Sequence, residues 1–162
     1  MKQDIYKIKV SSSEIDRLAG QQISDPNLKI FLNSSRHSTF LDWARYLGFS
    51  SNMGKTIIDP TEALLQDFKF HFKVGEEFQA KQFVERVSVI CPVVDGGEYR
   101  MKTEDKLKVT VWKKIDMENK LSSSLSLAIK RLEHMKVLEL TDLSDSLTSV
   151  KLTKGNEGNW GI

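Results

Sequence analysis

The chain has 162 residues, of which 40% are hydrophobic and 28% charged, a composition typical of a globular protein with one full domain or two small ones. No apolar run approaches the ~20 residues of a membrane-spanning helix, and the first residues lack the apolar segment of a signal peptide. The net charge is only +2, so whole-chain electrostatics do not single out nucleic acid as a partner. A nucleic-acid site would have to be a local basic face.

The single cysteine, Cys91, cannot form an internal disulfide, which favours a reducing, cytoplasmic location. It lies in an apolar run, and no histidine or acid is placed by a motif to activate it as a nucleophile. We therefore expect Cys91 to be a small core residue.

Residues 1–74 are predicted to form a helical N-terminal region suited to dimerisation. Ser11 to Glu14 begins a first helix that Gly20 stops, and Asp25-Pro26 opens a second short one. The polar stretch 33–37 is predicted to be a loop in which His37 is a surface or capping residue.

The segment 39–57 has two interpretations. Helical spacing of apolar residues from Phe40 to Leu47, followed by Gly48, predicts a helix that ends in a turn. A second short helix after this turn would make either a DNA-reading helix-turn-helix or a structural helical hairpin. Gly54 stands where the second helix of the DNA-reading version should have an apolar residue.

Helix signals become sharper in the middle of the chain. Asp59-Pro60 combines a capping acid with a proline that suits a first helical position, and the helix should run to residue 74. A boundary at Gly75 would separate residues 1–74 from a second unit, 75–162. A helix over 78–91 should end at Pro92, followed by a turn at 95–97.

The stretch 98–116 is harder to assign. Residues 98–101 have the character of a short strand, with Thr103 capping the next element. From 103 to 116, alternating Leu107, Val109 and Val111 predict a strand, whereas Leu107, Val111 and Ile115 fit a helix equally well.

The stretch 121–154 carries the clearest pattern in the chain. Leu125, Ala128, Ile129, Leu132 and Met135 have the spacing of a helix with one buried stripe, so we predict a helix over 121–136 that begins at the serines 122–124. After Lys136 the period becomes near-alternating, which predicts a hairpin with its tip at 142–146.

The order of elements in residues 78–154 resembles the winged helix-turn-helix family, in particular MarR-type transcription regulators. The resemblance is carried by Leu125, Ala128, Ile129, Leu132, Glu133, Val137 and Leu138, and then by residues 150–155. It implies a mainly α fold with a small β-hairpin, an N-terminal helical region and a C-terminal winged helix. It also implies a helix over 103–116, a recognition helix over 121–136 and a wing at the hairpin tip.

The face of that recognition helix opposite the buried stripe supplies the predicted DNA contacts. At roughly 100° per residue, this face holds hydroxyls, two cations, a histidine and an apolar residue able to touch a thymine methyl. Its members are Ser123, Ser124, Ser126, Leu127, Lys130, Arg131 and His134. Two features depart from the family: Lys136 replaces a usual glycine, and the wing tip carries Asp142 and Asp145, which phosphate repels.

The sequence offers little for catalysis. Asp95, Glu104 and Lys106 loosely match the acidic set of magnesium-dependent nucleases, but polar residues precede Glu104, and a solvated charge run explains them better. Phosphate-binding loops, Cys/His metal spacings and Ser-His-Asp orders are lacking. We expect no enzyme activity, no cofactor and no metal.

The sequence thus predicts a DNA-binding protein, either a small transcriptional regulator or an accessory replication or mobile-element factor. Its partner would be double-stranded DNA, read as a homodimer. The alternative is a non-catalytic protein-interaction module that uses the winged fold within a larger complex.

Overall fold

The computed structural model describes residues 11–23, 25, 34–52, 55–108, 110, 120–141, 149–154 and 158–159. These residues are mainly helical with small antiparallel hairpins, as the sequence predicted. The elements are α1 (Ser12–Gln22), α2 (Ser34–Tyr46), β1 (Ser50–Asn52), β2 (Thr56–Ile58), α3 (Thr61–His71), α4 (Ala80–Ile90), α5 (Glu98–Glu104), α6 (Ser123–His134), β3 (Thr153–Lys154) and β4 (Gly158–Asn159).

Three helices, α3, α4 and α6, build the hydrophobic core together with the chain that follows α6. Its buried members are Leu64, Phe68, Val84, Val87, Cys91, Val94, Leu121, Leu125, Ala128, Ile129, Leu132, Val150 and Leu152. Cys91 is a core residue, as predicted, and burial raises the pKa of its thiol to about 11. Because α3 contributes to the same core as α4 and α6, this core extends across position 75, and the proposed division there stays a prediction.

The predicted helix starts at Asp59 and Ser122 are confirmed. The Asp59 carboxylate accepts a hydrogen bond from the Thr61 backbone N–H at 3.1 Å, and the Ser122 hydroxyl accepts one from the Leu125 N–H at 3.3 Å. Each bond satisfies a backbone donor that the first turn of a helix leaves without an internal partner.

A buried ion-pair network holds the start of α6. Asp95 is fully buried, and its carboxylate accepts hydrogen bonds from the Ser122 backbone N–H at 2.5 Å and from Arg100. Arg100 also pairs with Glu104 at 2.8 Å. Two acids of the hypothetical nuclease set thus share one arginine, while Lys106 is exposed. This geometry supports a structural role for these acids in fixing α5 against α6.

Several predictions for residues 11–104 are wrong. Residues 34–37 belong to α2, and His37 is buried. Gly20 does not end the first helix, which continues to Gln22. The strand predicted at 98–101 is the start of α5, and Thr103 lies inside that helix, where its hydroxyl donates to the Tyr99 carbonyl. Thr103 therefore does not cap a following element.

The C-terminal hairpin is not where the sequence placed it. Residues 137–141 and 149–152 form no ladder with each other; Lys151 instead makes an isolated parallel bridge with Lys120, and β3 pairs with β4. The predicted tip at 142–146 and most of the short helix after Asp25 lie outside the described residues. Half of the segment 103–116 is described, and there α5 ends at Glu104 and Leu107 makes an isolated antiparallel bridge with Ile23, so no helix begins at Thr103. Among the helices described, none is long and apolar enough to cross a bilayer.

Candidate nucleic-acid interface

The helix expected to read DNA, α6, is buried on most of its circumference. Ser126 is 0% exposed and Leu127 8% exposed, although both were predicted to face away from the core. The prediction of an exposed face is therefore wrong for these two residues. For Ser126 the physical reason is that the chain after residue 149 packs on the side of α6 that helical periodicity assigned to solvent.

The serines of α6 serve the fold. The Ser126 hydroxyl accepts a hydrogen bond from the Thr153 backbone N–H at 2.9 Å. Ser123 lies 3.4 Å from the Thr153 hydroxyl, and Ser124 lies 3.2 Å from the Ser122 hydroxyl. The contacts of Ser123 and Ser126 tie α6 to the C-terminal segment, and that of Ser124 is local to the start of the helix.

The two cations of α6 are paired with carboxylates. Lys130 binds Glu133 at 2.8 Å, and Arg131 reaches across to the buried Asp59 at the start of α3. The pair Arg131–Asp59 fixes α6 against α3, since the Asp59 side chain is only 1% exposed. These cations therefore have carboxylate partners in the protein and are not presented to solvent without neutralisation.

Four of the predicted contacts nevertheless come together at one place. Leu127, Lys130, Arg131 and His134, with Glu133, line an open cleft of about 490 Å³ near the C-terminal end of α6. The three serines lie towards the other end of the helix. Because this cleft sits at the negative end of a helix dipole and includes Glu133, it is poorly suited to phosphate.

Helix α2 has the opposite character, because it is exposed along most of its length. Its buried stripe is narrow: His37 is buried, and Leu41 and Ala44 are half-buried. The other side of the helix presents large apolar groups to solvent, among them Trp43 at 57% exposure and Tyr46 at 82%. Phe40 and Leu47 are about half exposed as well.

The residues around α2 also have a local excess of positive charge. Residues 34–58 hold three basic side chains, Arg36, Arg45 and Lys55, and one acid, Asp42. The segment therefore has a local net charge of +2. Arg45 and Asp42 are both exposed and 3.4 Å apart, an arrangement that water screens strongly.

A hairpin follows α2 after three residues. Strands β1 and β2 are antiparallel, with Ser50 opposite Ile58 and Asn52 opposite Thr56, and Lys55 is exposed at their turn. The second helix predicted for 50–57 is therefore wrong, in both its DNA-reading and its structural version. The β-branched run 56–58 is the signal that a strand interpretation would have used.

Gly48 fixes the position of the hairpin relative to α3. Its φ is +79°, and its carbonyl accepts a hydrogen bond from the Ala63 N–H at 3.2 Å, while the Phe49 carbonyl accepts one from Asp59 at 3.0 Å. A Cβ at position 48 would lie 2.6 Å from the Ala63 nitrogen. The close approach of the two backbones therefore requires glycine.

One comparison with known proteins gives a match. A family model described as DpdG-like matches residues 1–146, which include α2, the hairpin and the three core helices. No curated protein and no solved structure matches the chain.

Proposed function

The chain belongs to the DpdG-like family, and we propose that it is a DNA-binding protein that contacts DNA through α2 and the β1–β2 hairpin. The family assignment is compatible with a role in DNA modification or in mobile elements. Within such a role the protein would act as an accessory factor or a small regulator without catalytic activity of its own.

One observation carries the proposal: α2 is an exposed helix followed at once by a hairpin, and these elements have a local net charge of +2. A helix that reads nucleic acid must present its side chains to solvent, which α2 does and α6 does not. We thus propose that the DNA-contacting helix and the wing that follows it lie in residues 34–58, and not in residues 121–154 as the sequence predicted.

The test is a fluorescence-anisotropy titration of labelled duplexes and single strands of mixed sequence at ~50 mM salt, where phosphate contacts are strongest. The variant Arg36→Ala/Arg45→Ala should bind ~10-fold more weakly or worse, because two phosphate contacts are removed. The matched control Lys69→Ala/Lys81→Ala removes two exposed cations from α3 and α4 and should bind like the parent. Absence of DNA binding by the parent would refute the proposal.

A protein-docking role is the second candidate, favoured by the line of exposed apolar residues along α2. Phe40, Trp43 and Leu47 recur at i, i+3 and i+7, the spacing of a helix that packs on another helix. A homodimer formed through this face would show as a doubled mass in sedimentation equilibrium, and Trp43→Ala would return it to a monomer. A monomer that binds DNA would favour the first candidate.

A further inference from the structure

The aromatic side chains of α2 are placed for contact with a flat, apolar ligand surface. More than half of the Trp43 surface and about four-fifths of the Tyr46 surface are in water. Their ring centroids are 5.7 Å apart with an interplanar angle of 88°. In this edge-to-face arrangement the two rings support each other, and their high exposure leaves ring surface open to a ligand.

Base-paired DNA offers little to such rings. In a duplex, the faces of the bases are covered by their neighbours, and the grooves display only base edges and methyl groups. Unpaired bases expose their faces, and the stacking of an aromatic side chain on such a face tolerates any base identity. Exposed Trp43 and Tyr46 are therefore better matched to single-stranded than to duplex DNA.

The charges on α2 fit the same ligand. Arg36 lies one helical turn before the half-exposed Phe40, on the side of α2 that also holds Trp43, and Arg45 lies about 100° around the helix from Tyr46. Cations on the same helix as exposed aromatic rings are a combination by which proteins bind the backbone and the bases of a single strand together. The single acid, Asp42, contacts Arg45 only at 3.4 Å, and because both side chains are exposed, water screens this pair and Arg45 can turn to a phosphate.

We propose that α2 binds DNA whose bases are unpaired, with Trp43 and Tyr46 stacking on bases while Arg36 and Arg45 contact phosphates. This inference rests on the proposed DNA-binding function and names its substrate class. The protein would act on strands separated by another activity, such as replication, transcription or strand transfer, and recognition would be largely independent of sequence.

The experiment uses the full chain with Trp112→Phe and Trp160→Phe, so that Trp43 is its only tryptophan. We expect Trp43 fluorescence to be quenched on addition of a non-self-complementary strand of about 15 nucleotides, the upper range of known single-strand sites. The duplex of the same sequence should bind at least ~10-fold more weakly and leave the fluorescence nearly unchanged.

Variants test the stacking role of Trp43. In anisotropy titrations with the same labelled strand, Trp43→Ala should weaken binding by ~5-fold or more, and Trp43→Phe should retain most of the affinity. Phe70→Ala, which removes an exposed aromatic ring from α3, is the matched control and should bind like the parent. Circular dichroism should show the same helix content in all three variants, since each residue is exposed.

The possible failures are distinguishable. Equal affinity for duplex and strand, without quenching of Trp43, would overturn the stacking inference and leave the DNA-binding function standing. Tighter binding to an RNA strand of the same sequence would overturn the assignment to DNA. Absence of binding to any of these nucleic acids would overturn both the inference and the proposed function.

Discussion

Lys136, at the C-terminal end of α6, has a backbone conformation that favours glycine. Its φ is +60°, and the N–H groups of Lys136 and Val137 donate to the carbonyls of Glu133 and Leu132, both at 2.9 Å. This is the left-handed ending by which many helices satisfy their last carbonyls. The turn keeps this geometry although a side chain at positive φ raises its energy.

Replacing Lys136 by glycine should therefore stabilise the protein. Glycine removes the left-handed penalty of ~1–2 kcal/mol from the folded state. Its greater conformational freedom in the unfolded chain offsets part of this stabilisation, so the free energy of unfolding should rise by about 0.5–1 kcal/mol. Urea denaturation measures the free energy of unfolding. Lys136→Val, which places a β-branched residue at positive φ, should lower that free energy, and a loss of stability in Lys136→Gly would contradict the argument.

Ser126 and His37 show why side-chain exposure was the weakest part of the sequence interpretation. Helical periodicity orients a residue relative to its own helix, but burial depends on what packs against that side. Ser126 is buried because the Thr153 N–H, 27 residues away, donates to its hydroxyl. A hydroxyl that has a hydrogen-bond partner can be buried at little cost. The polarity of Ser126 was therefore not sufficient ground for predicting that it is exposed.

At the scale of elements, capping chemistry was predictable and connections were not. The starts of α3 and α6 follow from Asp59 and Ser122, whose side chains bond backbone groups two and three residues ahead. A second helix was predicted for 50–57, but these residues lie in a hairpin, whose position depends on the backbone hydrogen bond from the Ala63 N–H of α3 to the Gly48 carbonyl. Such contacts leave no periodic signal in the sequence.

The contact between Gly48 and α3 should therefore be sensitive to a single methyl group. Gly48→Ala combines positive φ with a Cβ 2.6 Å from the Ala63 nitrogen and should lower the free energy of unfolding by about 2–4 kcal/mol. Gly20→Ala is the matched control, because Gly20 lies within α1 with open space around it, and should raise stability by about 0.5–1 kcal/mol. Equal effects of the two substitutions would contradict the assigned contact.

Helix α6 should respond to mutation as a core element. Arg131→Ala leaves the buried Asp59 carboxylate without its cation and should lower the free energy of unfolding by about 2–3 kcal/mol. Lys130→Ala breaks the local pair with Glu133 and should cost less than about 1 kcal/mol. DNA affinity of Lys130→Ala should equal that of the parent, whereas a marked loss would return the recognition role to α6.

At the scale of the whole molecule, the small net charge conceals an uneven distribution. Division of the chain at residue 74 gives 10 basic and 8 acidic side chains before it and 14 of each after it, so the excess of +2 lies in the first 74 residues. Within them, the segment of α2 and the hairpin, residues 34–58, holds three basic side chains and one acid, a local net charge of +2. A weakly charged protein can therefore still present a local cationic surface to DNA.

The salt dependence of binding tests this distribution directly. The slope of log K against log[salt] counts the phosphates that a protein neutralises, at ~0.9 per contact on duplex and ~0.7 on single strands. Arg36→Ala/Arg45→Ala should reduce the slope by about 1.4–1.8. Lys69→Ala/Lys81→Ala produces the same net charge but should leave the slope unchanged, because its cations lie on α3 and α4. An equal reduction in both variants would mean that DNA senses the overall charge of the protein instead of the surface formed by α2 and the hairpin.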